Sequence, residues 1–217
     1  MEQILEPVKL KRRSDLHLAR KIWHMTTVSM IAALYAYLPE KVSLILLTIS
    51  WFIFVPFDFY RLRNPQVNEA VLPLLRPIMR QAEVQSLAGT TYLLTGIYLV
   101  ALIFPPPIVF LTMLFLAFAD PIASYFGIRF GKDKIFGEKS LQGSFAAFFV
   151  CAILTFAFLN YHDILLDRVV VVSLLGGLIG ALAELLPIGK LDDNLTLPLL
   201  SAVALWLVFS IFGVFAT

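Results

Sequence analysis

Long unbroken apolar runs dominate this chain, at about 22–38, 41–57, 87–104, 107–126, 144–160, 169–187 and 196–215. Crossing roughly 30 Å of hydrocarbon takes about 20 helical residues, and most of these runs come close to that length. They are continuous rather than alternating, which excludes a membrane β-barrel. The pattern predicts an all-α, polytopic helical membrane protein with about seven transmembrane helices. Only Pro39-Glu40-Lys41 separates the first two runs. Between the second and third, Val67, Val71, Leu74, Leu75, Ile78 and Met79 recur at helical spacing among Arg76, Arg80 and Glu83. That stretch is too polar to span, and Pro73 and Pro77 would kink it. It reads as an interfacial or re-entrant helix, with a solvated connecting helix as the plainer alternative.

Composition agrees. The chain is 59% hydrophobic and 15% charged, with a mean hydropathy of +0.85, which excludes an ordinary soluble domain. Cys151 is the sole cysteine and lies in an apolar run, so no intrachain disulfide or cysteine metal site is expected. The basic N-terminus lacks a short apolar core with a small-residue cleavage site, so no removable signal peptide is expected. Residues 1–21 read as a cytoplasmic basic segment and 22–217 as one integral-membrane domain.

Charge placement orients the spans. With the N-terminus cytoplasmic, fifteen of the seventeen Lys and Arg residues fall inside, among them Lys9, Lys11, Arg12, Arg13 and Lys190. Only Lys41 and Arg168 fall outside, a strong positive-inside bias that also favours an odd number of spans. The same topology gathers the distinctive polar clusters on the cytoplasmic face.

Asp120 ends the apolar run from Val109 and precedes Pro121. A carboxylate near a span centre costs about 2.5–3.5 kcal/mol on insertion scales and is a functional-site candidate by default. Asp-Pro also caps helices, so the span is expected to break here, as helices do where they line a polar cavity. Asp120 then serves as a magnesium ligand or a base; a cap, or a partner for a buried arginine, is the structural alternative. Gly127 to Lys132 is like a phosphate loop only in its glycines and lysine, lacking the full P-loop pattern. Even so, Gly127 and Gly131 allow close backbone approach to an anion, and Lys132, Lys134 and Lys139 supply charge. Ser140, Gly143 and Ser144 stand where the next span begins, so a helix N-terminus adds amide donors. A basic loop that merely obeys topology explains the lysines but not the Asp, Gly and Ser spacing.

Glu184 follows Gly176, Gly177 and Gly180 late in the sixth span; the glycines point to close helix packing, the glutamate to a salt bridge or metal ligation. Asp192-Asp193-Asn194 offers oxygen ligands suited to magnesium with bound phosphates, or a helix cap at Asp193 or Asn194. Arg20, Lys21 and His24 open the first span, where basic residues are expected from topology and His24 could be a core histidine.

Together these clusters resemble the CTP-dependent lipid-alcohol kinases: dolichol kinase, yeast-type diacylglycerol kinase and phytol kinase. The similarity runs from about Arg20 to Ser201. It rests on Arg20-Lys21-x-x-His24, Asp58-x-x-Arg61, the Glu83 to Tyr92 stretch, and the signature from Ala119-Asp120-Pro121 to Gly143-Ser144. It ends on Ala-x-x-Glu184 and Asp192-Asp193-Asn194-Leu195. The resemblance implies transfer of the CTP γ-phosphoryl group to a membrane lipid alcohol (diacylglycerol, polyprenol or phytol), giving lipid phosphate and CDP. It places Arg20, Lys21, Asp120 and Gly127 first, then Lys132, Lys139, Ser140, Gly143 and Ser144 as nucleotide contacts. Mg2+ would be held by Asp120 with Asp193 or Glu184, and Arg20 or Lys21 would neutralise the transferring group. The partners implied are CTP, the lipid alcohol and the bilayer, with no nucleic acid. Relatives commonly carry Glu where Gln142 stands, which leaves a catalytically inactive relative as one reading. A phosphatidate cytidylyltransferase-like enzyme is the alternative, and a transporter of an anionic solute a second, though the polar groups crowd one face and no internal repeat is present.

Overall fold

The computed structural model describes residues 17–189 and 191–215; most of the basic N-terminal segment and Lys190 lie outside the described residues. Helices make up almost all of it: α1 (Leu18–Tyr37), α2 (Glu40–Arg63), α3 (Pro65–Leu75), α4 (Gly89–Ile103), α5 (Pro106–Leu114), α6 (Asp120–Phe130), α7 (Leu141–Tyr161), α8 (Val169–Leu185) and α9 (Asp193–Ile211). A two-stranded antiparallel hairpin, β1 (Lys134–Phe136) with β2 (Lys139–Ser140), joins α6 to α7.

Among the described residues four helices are long and apolar enough to cross a membrane: Glu40–Arg63, Pro106–Phe130, Leu141–Tyr161 and Asp193–Ile211. Gly89–Ile103 and Val169–Leu185 are apolar but shorter. At 1.5 Å per residue their 15 and 17 residues cover only about 22–26 Å. In α1 the early Arg20, Lys21 and His24 dilute the apolar character. Seven full spans are therefore more than length and composition support.

Pro106–Phe130 is the central helix: 61% of its apolar window is buried, against 22% for α2 at the periphery. It continues straight through Asp120 instead of breaking there. Phe115–Ala119 forms a π turn, and Asp120 itself is helical, not a cap. The cause is Pro121, which lacks an N–H and whose ring would collide with a carbonyl one α turn back; one wider turn relieves the collision but leaves a carbonyl without its amide. Phe115, Leu116, Ala117 and Ala119 of this turn are buried among α1, α7 and α9.

The expected interfacial helix is shorter than its pattern. It starts at Pro65, capped by the Asn64 side chain, and ends at Leu75, after Pro73; a short 3-10 turn follows at Gln81–Val84. Small residues bring α8 against α7, where a Cβ on Gly180 would fall within bonding distance of the Cys151 side chain. Phe52, Ile53, Phe149, Ile153, Val170 and Leu207 cover the outside with apolar surface suited to lipid.

Candidate active site

The helix ends carrying the polar motifs converge at one end of the bundle. There α6 and α7 meet closely around the Ser140 hydroxyl. A Cβ on Gly143 would stand 2.8 Å from the Ala123 carbonyl oxygen, and one on Gly127 would stand 3.1 Å from Ser140 Oγ. Ser140 caps α7, accepting from the Gly143 amide at 3.3 Å, while Ser144 Oγ donates to the Ser140 carbonyl. The result is a cavity of about 330 Å³ floored by Gly127, Gly131, Ser140 and Gly143 and walled by Asp120, Lys139, Glu184 and Asp193.

Lys139 is the hub of that wall. Its Nζ lies 2.5 Å from Glu184 Oε1 and 3.0 Å from Asp193 Oδ2. Burial disfavours its charge, but Glu184, Asp193 and Asp120 outweigh that and hold the ammonium above the usual lysine range. The two carboxylates thus already share one cation. Among the described residues no group of three or more His, Cys, Asp or Glu side chains is close enough to hold a metal alone. One or two carboxylates completed by substrate phosphates is nevertheless the usual way to bind Mg2+, and this pair, with its lysine stand-in, fits that donor set.

A second, smaller cavity adjoins the first. Arg20, Lys21, His24, Arg80, Asp120 and Ser124 line it, and Arg80, Asp120 and Ser124 line both. Lys21 Nζ donates to Ser124 Oγ at 2.5 Å, and burial pulls its ammonium down to about 8 against the opposing charge of Asp120. Burial and the neighbouring Arg20 likewise lower Arg80, against the pull of Asp192, Glu83 and Asp120. His24 Nε2 meets the Leu116 carbonyl at 2.8 Å.

Arg20 also reaches outward. Its Nη1 donates to the Ile78 carbonyl at 2.7 Å and to Glu83 Oε2 at 3.1 Å. Asp58 and Arg61 tie this region together. Arg61 Nε donates to Asp58 Oδ1 at 2.7 Å, and its other nitrogens donate to Asn68 and to the carbonyls of Glu83 and Ser86. Asp58 Oδ2 accepts from the Ala88 amide and the Thr91 hydroxyl. Both side chains are buried and fully engaged, so they act as a clamp on the α3–α4 connection.

Most residues singled out in the sequence gather here, with some changes of part. The cap of α9 is Asp192, accepting from the Asn194 amide at 3.0 Å, rather than Asp193 or Asn194; Asp193 is thereby left to pair with Lys139. Burial raises Asp192, partly offset by that amide and by Arg80, which lies 3.8 Å away. Lys132 is exposed and lines neither cavity, and Lys134 takes the place on the rim. Gln142 lies outside the cavity and donates to Asp133 at 2.9 Å. Sequence reasoning passed over Arg80, Ser124 and His17, all of which line the smaller cavity. Ser124 stood within the Ala119–Ser144 signature, and Arg80 stood three residues before Glu83; His17 carried no signal.

The chain is 32% identical over 161 residues to the CTP-dependent diacylglycerol kinase 1 of Schizosaccharomyces pombe, covering 70% of this chain and 74% of that protein. It is 26% identical over 204 residues to the Saccharomyces cerevisiae protein of the same name, covering 85% and 70%. An uncharacterized protein of Rickettsia prowazekii is 28% identical over 192 residues, covering 85% and 91%. No family model and no solved structure matches the chain.

Proposed function

The chain belongs to the family of CTP-dependent diacylglycerol kinases, and from that premise we propose that it phosphorylates diacylglycerol, with CTP as donor and Mg2+ as cofactor. A polyprenol or phytol is the alternative acceptor, since apolar sites discriminate weakly by chain length. The observation that carries this reading is the junction of the two cavities. Glycines, a helix N-terminus and Lys139 line one side, Arg20, Lys21 and Arg80 the other, and Asp120 stands in the wall between.

In this reading the triphosphate lies in the larger cavity, against the amides at the start of α7 and under Lys134 and Lys139. Glu184 and Asp193, with Asp120, would hold Mg2+, which when bound shields the phosphate oxygens from one another. Lys139, paired with both carboxylates at the cavity wall, would add positive charge beside the phosphates. The terminal phosphoryl group then projects into the smaller cavity, where Arg20, Lys21 and Arg80 neutralise the charge that spreads over its oxygens. The products are a lipid phosphate and CDP. Fifteen of seventeen basic residues sort to one side, so we place the N-terminus and this site in the cytoplasm. The shorter α4 and α8 cross with α1 in a seven-span bundle, the bilayer thinning around them.

The test is transfer of label from γ-labelled CTP to a lipid alcohol by purified protein in detergent with magnesium, using ATP as the control donor. Asp120→Ala should remove turnover while the protein stays folded. Full activity in that variant would overturn the assignment, and pyrophosphate released from CTP with phosphatidic acid would point to a cytidylyltransferase.

A further inference from the structure

A third cavity, of about 170 Å³, lies on the flank of the bundle between α1, the end of α3 and α4. Trp23, Ile31, Phe54, Ile78, Leu93 and Leu94 make it a chiefly apolar groove, and Trp23, 53% exposed, opens it to the surroundings. One end differs. Arg20, His24 and Asn194 line both this groove and the small cationic cavity, which in turn shares Asp120 with the large one. The three therefore adjoin in series, greasy at the flank and polar at the core.

Glu83 stands at the polar end of the groove. Its residue is 7% exposed, yet Oε1 has no hydrogen-bond donor aimed at it. Arg20 Nη1 lies 2.8 Å from Oε1, but only its contact with Oε2 has hydrogen-bond geometry. An ionised carboxylate only accepts, and Oε1, ion-paired with Arg20 but without a hydrogen bond, is free to accept from a further donor. A hydroxyl group at the end of a hydrocarbon chain supplies what this groove lacks.

We infer that the groove is the acceptor site: the hydrocarbon of the lipid alcohol enters past Trp23, and its hydroxyl donates to Glu83 Oε1 beside Arg20. This rests on the kinase reading above and assigns Glu83 a catalytic part in it. The bond from the hydroxyl oxygen to the γ-phosphorus forms as the bond from that phosphorus to the β,γ-bridging oxygen breaks. The electron pair of the broken bond leaves with CDP, and the hydroxyl proton passes to Glu83. Arg20 touches both the carboxylate and the small cavity, so it sets the hydroxyl against the incoming phosphoryl group.

The experiment uses the full chain in mixed micelles with 1,2-dioleoylglycerol and CTP, varying each substrate in turn. Thr27→Trp at the half-buried wall and Leu94→Phe deeper in should each raise the apparent KM for the lipid about 10-fold, with that for CTP within about 2-fold. Glu83→Gln should lower kcat about 100-fold with both KM values little changed. An unmoved lipid KM in both groove variants, or equal shifts for CTP, would overturn the groove. A Glu83→Gln variant altered only in thermal stability would overturn its catalytic part. Should the groove variants fail to fold, a diazirine-bearing diacylglycerol on the unaltered chain decides: label on α1 and α4 supports the site, and label confined elsewhere overturns it. No transfer from CTP to any lipid alcohol by the unaltered chain would sink the kinase reading itself, which is a different result.

Discussion

His24 Nε2 lies 2.8 Å from the carbonyl oxygen of Leu116. In a π turn the carbonyl of residue 116 looks for the amide of residue 121, and Pro121 has none. A carbonyl can only accept, so the ring nitrogen carries the proton and His24 satisfies the group that Pro121 orphans. The wide turn that sets the direction of Asp120 is thus held by a side chain from another helix. His24→Ala should lower kcat about 10- to 100-fold through misplacement of Asp120, while the KM for CTP changes little. His24→Gln, which keeps an N–H donor, should recover part of the loss. Equal loss in both variants, with unchanged thermal stability, would mean that the ring contacts substrate rather than positioning the turn.

Asp58 and Arg61 make a different kind of prediction, because their side chains are 2% and 1% exposed and their hydrogen bonds reach cavity-lining residues through the backbone of Glu83 and Ala88. Removing one member leaves a buried charge without its partner. Arg61→Met should cost about 3–5 kcal/mol, read as a lower melting temperature in detergent. It should also loosen the connection that carries Arg80 and Glu83, so activity should fall at temperatures where most of the protein is still folded. A melting temperature within a degree or two of the parent would show that the clamp is dispensable.

Lys21 brings a pH dependence. Burial lowers its ammonium to about 8, and in the proposed mechanism it works only while protonated. Activity should therefore be retained below that value and fall as pH rises through about 8. Lys21→Arg keeps its charge at any such pH and should move the alkaline limb upward. Lys21→Met should lower activity throughout and remove the limb. A limb unchanged in the arginine variant would assign it to another group.

What the sequence revealed of this site follows from where each residue's partners lie. Ser140, Gly143 and Ser144 could be read because a helix start is a local event, and the hydroxyl, the glycine and the amides are all within one turn. Asp120 could be read because an acid inside an apolar run stands out. The continuity of its helix could not, since Asp-Pro serves equally as a break or as part of a wider turn until His24 arrives from α1 to satisfy Leu116. Arg80 was hidden for the same reason: it comes from a connecting segment that is tied down by the clamp at Asp58 and Arg61 and by Arg20 on the Ile78 carbonyl. Span number is only partly legible, because hydropathy marks α4 and α8 as apolar without showing that their helices are 15 and 17 residues long.

Gln142 stands where the resemblance to the lipid-alcohol kinases implies an acid, and its position bears on whether the chain is active. Its side-chain amide donates to Asp133 Oδ2 at 2.9 Å, at the base of the hairpin and away from the cavity lined by Glu184 and Asp193. Gln142 lines neither that cavity nor the smaller one, so we expect a neutral side chain there to be compatible with turnover. Gln142→Ala should keep kcat and the KM for CTP within about 2-fold and change stability by no more than about 1 kcal/mol, one exposed hydrogen bond being lost. Gln142→Glu should be the worse of the two, since it sets a second carboxylate against Asp133 beside the strand that carries Lys139. High salt should relieve its effect only in part, since Gln142 is half-buried and its Oε1 is sealed from solvent. A large gain in kcat on restoring the acid, measured with γ-labelled CTP at saturating lipid, would instead place position 142 in the catalytic centre and require the hairpin to close over it.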